Sequence, residues 1–382
     1  MGLLTKYKIL FLSVAVLLAG CGKSLIKVDS SLDKSPYPMF GRIPERNFYV
    51  PITVSDSLRI AWENSAHGGF SNTSVTVYDK FVFTSDLSGR IYVFDIADGD
   101  RVGMLKSKGA IYTAPLVFRN FVIYGVAELK YNLTELIYYN YRTGKEFFNK
   151  EIYSRIMSEM IALDDGIVFL TESGRLNRYD LNGVSVWETK TNVRTHCSPA
   201  LSKNIAIFGN DDGEIIAINS ESGKLIYRKK YEGIFTGTVS IDDSIAYLGN
   251  NNGFIYAVKL KSGELVWKFN SGSRILMSPA IDDKNVVIGN LKGDLFSLNK
   301  FNGKLNWRNH FFGLLNATPL LTRNRIILPD LFRRLYLIDK SNGKTIKTYL
   351  LKGRTKLSPV YFDNLLFIGY DLGELRAYEF VE

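Results

Sequence analysis

A glycine returns along this chain at almost constant intervals. Gly99, Gly144, Gly183, Gly223, Gly263, Gly303 and Gly343 are separated by 45, 39, 40, 40, 40 and 40 residues. Four residues after most of them stands an aromatic, as in Phe148, Trp187, Tyr227, Trp267 and Trp307, with Gly103 and Lys347 as exceptions. A second series, Gly89, Gly174, Gly213, Gly253, Gly293 and Gly373, and a third, Pro115, Pro199, Pro279, Pro319 and Pro359, keep the same period. Three registers that agree over so many copies demand one supersecondary unit, repeated, with each copy burying its apolar faces against its neighbours.

Each register has a local cause. SG, NG, DG and TG pairs between short apolar runs supply the positive φ of tight hairpins. A proline at the first position of a strand costs no ladder hydrogen bond. The aromatic follows a leucine by two residues (Leu265 before Trp267, Leu305 before Trp307), which predicts that both lie on one strand face. With 22 Tyr, 24 Phe and 32 Gly the composition also favours strands and turns. Each unit therefore reads as a four-stranded meander, A-B-C-D, best seen in Ser278 to Trp307. The A strands begin near Val75, Pro115, Met160, Pro199, Val239, Pro279, Pro319 and Pro359, eight in all, yet only seven units have a D strand before the chain ends at Glu382. Ser57 to Trp62 resembles the missing one. A strand from before the first unit that completes the last would close a ring and remove a sheet edge. The expected fold is all-β: an eight-bladed β-propeller of four-stranded antiparallel blades over residues 57–382, closed by an N-terminal strand. Two units depart from the pattern: the B–C turn of blade two is expanded over Glu128–Thr134, and Arg333 stands where blade seven needs a turn glycine.

Ahead of the repeats, Lys6 and Lys8 precede an apolar stretch from Ile9 to Ala19, too short to span a bilayer and suited to a signal peptide over residues 1–20. It ends in Leu18-Ala19-Gly20-Cys21, which resembles the bacterial lipobox. That resemblance implies acylation of Cys21 and, with Gly22 rather than Asp following, the outer membrane. Residues 22–57, with Pro36, Pro38, Pro44 and Pro51 and no sustained periodicity, read as a tether. The net charge of +10 includes no run of five or six like charges, so most of it reads as solvated surface. Cys21 and Cys197 are the only cysteines, and His67, His196 and His310 are far apart, so neither a disulfide framework nor zinc spacing is present.

The units SPAIDDKNVVIGNLKGDLFSLNKFNGKLNW and GNNNGFIYAVKLKSGELVWKF resemble the repeat of pyrroloquinoline-quinone-dependent dehydrogenases, across residues 57–382. Two groups share that repeat. One is the quinoprotein enzymes; the other is the lipoprotein B subunit of the outer-membrane β-barrel assembly machinery, a propeller without cofactor. The adjacent cysteine pair of the large quinoproteins is missing here. Asp211, Asp212, Asp242, Asp243, Asp282 and Asp283 fall in repeated turns, where Asp is expected for its turn chemistry. Lipobox, length and blade count fit the second group. The resemblance implies a non-enzymatic scaffold without cofactor, facing the periplasm from the outer membrane. Its partners would be the periplasmic domain of the barrel insertase and other subunits of the machinery, not nucleic acid. The alternatives are a periplasmic quinoprotein dehydrogenase and an envelope module that binds an anionic glycan or lipid.

Topology sorts the loops. In an up-down meander the B–C turns and the D–A connections share one face, and residues entering strand A rim the central channel. Arg155, Arg194, Arg274 and Arg354 stand five residues before the start of strand A in blades three, four, six and eight, with Ala110, Ile234 and Leu314 in blades two, five and seven. Four arginine forks in one register form a candidate basic rim suited to carboxylates. On the same face lie Phe311, Phe312 and Leu314 of one D–A loop and Leu331, Phe332 and Arg333 of a neighbouring turn, a candidate protein contact. In the assembly-factor family the partner contact includes an apolar stretch ending in an arginine ahead of blade four, matched by Val193-Arg194. The family's acidic pair before blade five is replaced by Ile234 and Thr236.

Overall fold

A computed structural model describes residues 25–28 and 35–382. The signal-peptide stretch 1–20 and the lipobox Cys21 lie outside the described residues. Eight four-stranded antiparallel sheets form the ring. In blade six the strands are Ala280–Ile281, Asn285–Gly289, Asp294–Asn299 and Leu305–His310, in that order from the axis outward. The two middle strands of a blade are buried on both faces, because each sheet is packed between two others; the outermost strand is half in solvent. Among the described residues the one helical turn is the 3-10 segment Leu129–Tyr131 in the expanded turn of blade two, and no helix is long and apolar enough to cross a membrane.

The two most regular sequence signals are halves of one contact. Trp267 of blade five is buried and donates its indole N–H to the Lys300 carbonyl of blade six, 2.8 Å away. Gly303, in the C–D turn of blade six, faces that indole; it has φ +69°, and a Cβ there would come within 2.7 Å of the ring. Trp62, Trp187 and Trp307 donate in the same way to Ile96, Ser220 and Lys340 of the next blade. The turn glycine thus supplies both a left-handed conformation and a floor for the preceding blade's aromatic. One expectation fails here. The outer strand carries a bulge that leaves Val266 unpaired between Leu265, opposite Val258, and Trp267, opposite Ala257, so the leucine is exposed while the tryptophan is buried.

Closure follows the expected route. Ser57–Ser65 pairs with Glu374–Val381, from Ser57↔Val381 to Ser65↔Glu374, and becomes the fourth strand of blade eight. Arg333 adopts φ +66° in the position that glycine occupies in other blades.

The tether does not hold for the described part of residues 22–57. Residues 37–54 form a strap across the A–B end of the ring. The backbone N–H groups of Val77, Val117, Leu201, Ile241, Ile281 and Leu321 donate in turn to the carbonyls of Tyr37, Pro38, Pro44, Glu45, Asn47 and Phe48. Strand A is the inner edge of every blade, and its N–H groups would otherwise face an open channel without partners. Met39, Phe40, Phe48 and Val50 are buried beneath them. Prolines suit this path, since the strap accepts from the ring more than it donates to it.

Residues 25–28 are also packed. Blade one is one of the two units that lack the aromatic, having Gly103, and Ile26 fills the vacant place, fully buried among Val93, Leu105 and Tyr139. Met104 donates its N–H to the Leu25 carbonyl at 3.2 Å, and Val28 donates to the Tyr141 carbonyl at 3.1 Å. A Cβ at Gly103 would lie 3.1 Å from the Leu25 carbonyl oxygen.

Candidate functional site

One hydrogen bond, repeated around the ring, builds the loop face. The N–H of the B–C turn residue donates to the carbonyl of the rim residue of its own blade: Glu172 to Arg155, Asp211 to Arg194, Asn251 to Ile234, Leu291 to Arg274, Leu331 to Leu314 and Asp371 to Arg354, at 2.7–3.1 Å. Rim residue and turn residue are therefore side by side in each blade, and the chemistry of a sector depends on that pair.

In blades three, four and eight the pair is ionic. Arg155 meets Glu172 at 2.5 Å, Arg354 meets Asp371 at 2.6 Å, and Arg194 reaches Glu172 at 2.9 Å and Asp211 at 3.8 Å. His196 adds contacts of 3.2 Å to Glu172 and 3.0 Å to Asp211. The Glu172 carboxyl is held below its ordinary value, the desolvation of its burial being outweighed by Arg194, Arg155 and His196. Three of the four rim arginines thus carry a carboxylate beside them, and the rim is a set of ion pairs rather than a continuous basic ring. The Arg194 side chain remains 65% exposed despite its partners.

Blades six and seven differ. Leu291 stands where the acid would be, so Arg274 is exposed with no ion-pair partner among the described residues. Beside it the Leu314/Leu331 pair is apolar, with Phe312 84% and Phe332 54% exposed and Arg333 also exposed. Two of the expected contact residues are unavailable. Phe311 is buried against Tyr336, ring centroids 4.6 Å apart, and Val193 is buried in the core between blades. The alternation of a loop that crosses from one blade to the next turns one of each such neighbouring pair inward.

The central channel holds a group that the sequence expectations missed. At the position just before the strand A proline, the blades contribute Ser74, Ala114, Glu159, Ser198, Thr238, Ser278, Thr318 and Ser358. These small residues knit the inner ring together: Glu159 N–H donates to Ser198 Oγ at 2.9 Å, Ser278 N–H to Thr318 Oγ1 at 3.0 Å and Thr318 N–H to Ser358 Oγ at 3.2 Å. Glu159 is the one acid of the series, a buried carboxyl that accepts from the Thr73 hydroxyl and from Ala114 N–H. Burial pushes it up to about 7, against the pull of Thr73, Arg46 and Ala114. From the strap, buried Arg46 enters the channel and donates to the carbonyls of Glu159 at 2.9 Å and Met160 at 3.1 Å. Burial lowers this guanidinium to about 10, with Glu159 acting in the opposite direction.

The channel is therefore blind. It opens on the loop face as a cavity of about 250 Å³ lined by residues such as Tyr112, Met157, His196 and Asn316, and ends at Glu159 over Arg46. The donor set does not fit a quinone held over calcium. Among the described residues no group of three or more carboxylate, histidine or cysteine side chains is arranged to hold a metal ion, and the guanidinium beneath Glu159 opposes a divalent cation. The register would have disclosed Glu159 as the one charged member of a series of small residues.

Comparison with known proteins agrees with this architecture. A family model described as outer membrane protein assembly factor BamB matches residues 131–244 and 251–379. Among curated proteins no sequence match is significant. The solved structure of BamB from Moraxella catarrhalis is similar with a TM-score of 0.72 and 18% identity, over 85% of this chain and 100% of that one. Quinohemoprotein alcohol dehydrogenases are similar in fold as well: that of Pseudomonas putida at TM-score 0.75 and 14% identity, over 94% of this chain and 83% of that one, and that of Comamonas testosteroni at 0.76 and 10%, over 91% and 80%.

Proposed function

We propose, from the premise that this chain belongs to the family of the outer membrane protein assembly factor BamB, that it is a non-enzymatic periplasmic scaffold lipoprotein. In this reading it is acylated at Cys21, binds the periplasmic domain of the outer-membrane barrel insertase, and assists the folding and insertion of barrel proteins. What carries the reading beyond the family match is the exposed Arg194 on the loop face, held by Glu172 and Asp211 beside the mouth of a blind channel. An arginine fixed in this way offers a fork with reduced conformational freedom to a carboxylate of a partner. Arg155, Arg274, Arg354, Arg333 and the apolar sector of Phe312, Leu314, Leu331 and Phe332 extend the contact across the same face. The channel supports a scaffold rather than a dehydrogenase, because the buried Glu159 carboxyl is committed to Thr73, Ala114 and the charge of Arg46.

The test is co-purification from solubilised envelopes, followed by binding to the isolated periplasmic domain of the insertase. Wild type retains the insertase, and Arg194→Glu, which sets a third acid beside Glu172 and Asp211, weakens binding by about tenfold or more through like-charge repulsion. Unchanged binding of the variant removes the site assignment. Absence of the insertase from the wild-type eluate removes the scaffold function.

A further inference from the structure

The placement of residues 25–28 says how the ring stands on its membrane. These residues are not a passive run past the body. Ile26 occupies the slot between blades one and two that the missing aromatic leaves, and Gly103 and Gly144 both lie against the segment: a Cβ at Gly144 would come 2.9 Å from Leu25 Cδ1. Two backbone hydrogen bonds, Met104 to Leu25 and Val28 to Tyr141, together with the Tyr139 hydroxyl donating to the Ile26 carbonyl at 2.9 Å, fix it in register. Only four residue steps separate Leu25 from Cys21, a reach of about 14 Å when fully extended.

We propose that the outer edge of blades one and two is the membrane-facing side of this protein, held within a few residues of the lipid headgroups instead of hanging from a long tether. The inference rests on acylation at Cys21. The occupant of this edge is an anionic phospholipid surface. Its chemistry suits one: Lys27, Arg142 and Lys145 are exposed around the Gly144 turn, with Glu146 the acid among them, and Phe147 follows as an exposed aromatic. Basic side chains beside an aromatic at a lipid anchor supply the second signal that durable membrane attachment needs. With this edge down, the ring axis runs along the membrane plane and the loop face points sideways, toward a partner standing on the same membrane.

The experiment uses the full acylated protein on vesicles of phosphatidylethanolamine and phosphatidylglycerol containing a nitroxide-labelled lipid. A bimane probe is placed through Phe147→Cys or, on the opposite side of the ring, Leu265→Cys. Cys197 is buried and its thiol is pushed up to about 12 by that burial, so it stays unlabelled. Quenching at position 147 is expected to exceed that at 265 by about threefold or more, since the reach from Cys21 is so short. Equal quenching at the two sites in protein that floats with the vesicles overturns the placement. Protein that does not float overturns the acylation on which it rests. Gly103→Trp restores the aromatic and evicts Ile26; this variant is expected to float and to keep its β-sheet circular dichroism while losing the difference between the two probes. A difference that survives in Gly103→Trp also overturns the placement.

Discussion

The Glu159 carboxyl and the Arg46 guanidinium are each stripped of water inside the channel, and their titrations show how one residue affects the whole ring. The folded state holds the Glu159 proton up to about pH 7, whereas an unfolded chain releases it near its ordinary value of 4.5. Between those limits the folded protein binds more protons, so raising the pH favours unfolding. Stability contributed at low pH is lost as pH climbs from 5 to 8, by about 2 to 3 kcal/mol for a shift of this size. Glu159→Gln removes that slope, and chemical denaturation at pH 5 and pH 8 measures it; a variant with the wild-type pH dependence contradicts the assignment. Neither residue stood out in a chain read as repeats. Glu159 was visible in principle, as the one acid in a series of small residues. Arg46 was not, because the strap has no period and the carbonyls it binds are more than a hundred positions away.

At the scale of the element, the contact that repeats is aromatic on glycine across a blade boundary. Trp267→Ala empties a buried indole site and is expected to cost about 3 to 5 kcal/mol, while Leu265→Ala, two residues earlier on the same strand, is expected to cost under about 0.5 kcal/mol. Thermal or urea unfolding separates the two, and similar losses would contradict the bulge that turns the leucine to solvent. The blades were legible because tight turns need positive φ, which confines glycine to fixed positions at a fixed period. The bulge was not legible, because the register of an outer strand depends on the strand it pairs with. The same limit explains Phe311 and Val193: sequence places both on the loop face, but which of two neighbouring residues turns inward is decided by the blade beyond. The pairing of rim arginines with turn acids was readable in outline, as Arg and Asp or Glu at a constant separation, and it fails at Leu291, which gives Arg274 no acid in its own turn.

Across the whole molecule the ring and its closing strand were foreseeable from a count of eight inner units and seven outer strands. The strap was not, since a proline-containing stretch without periodicity satisfies a tether equally well until its carbonyls are matched to the inner strands. Deleting residues 1–56 leaves every blade complete but strips six inner N–H groups of their acceptors. At about 1 kcal/mol each, with the apolar burial lost as well, this lowers the melting temperature by about 10 °C or more; calorimetry of the truncated chain showing no change would mean that the strap adds nothing. The strap also sets the order in which the molecule is finished. Its acceptors lie at the start of the chain and its last inner donor is Leu321 of blade seven, while the closing strand waits for Glu374–Val381. Residues made first therefore settle last, after nearly all the chain has emerged. Until then the nascent ring is open beneath and unclosed at its seam, with the slow, long-range closure that such sequence separations impose. For this interval the protein is itself an unfinished β-structure with exposed edges, open to pairing with other strands and in need of protection until its own beginning comes back to complete it.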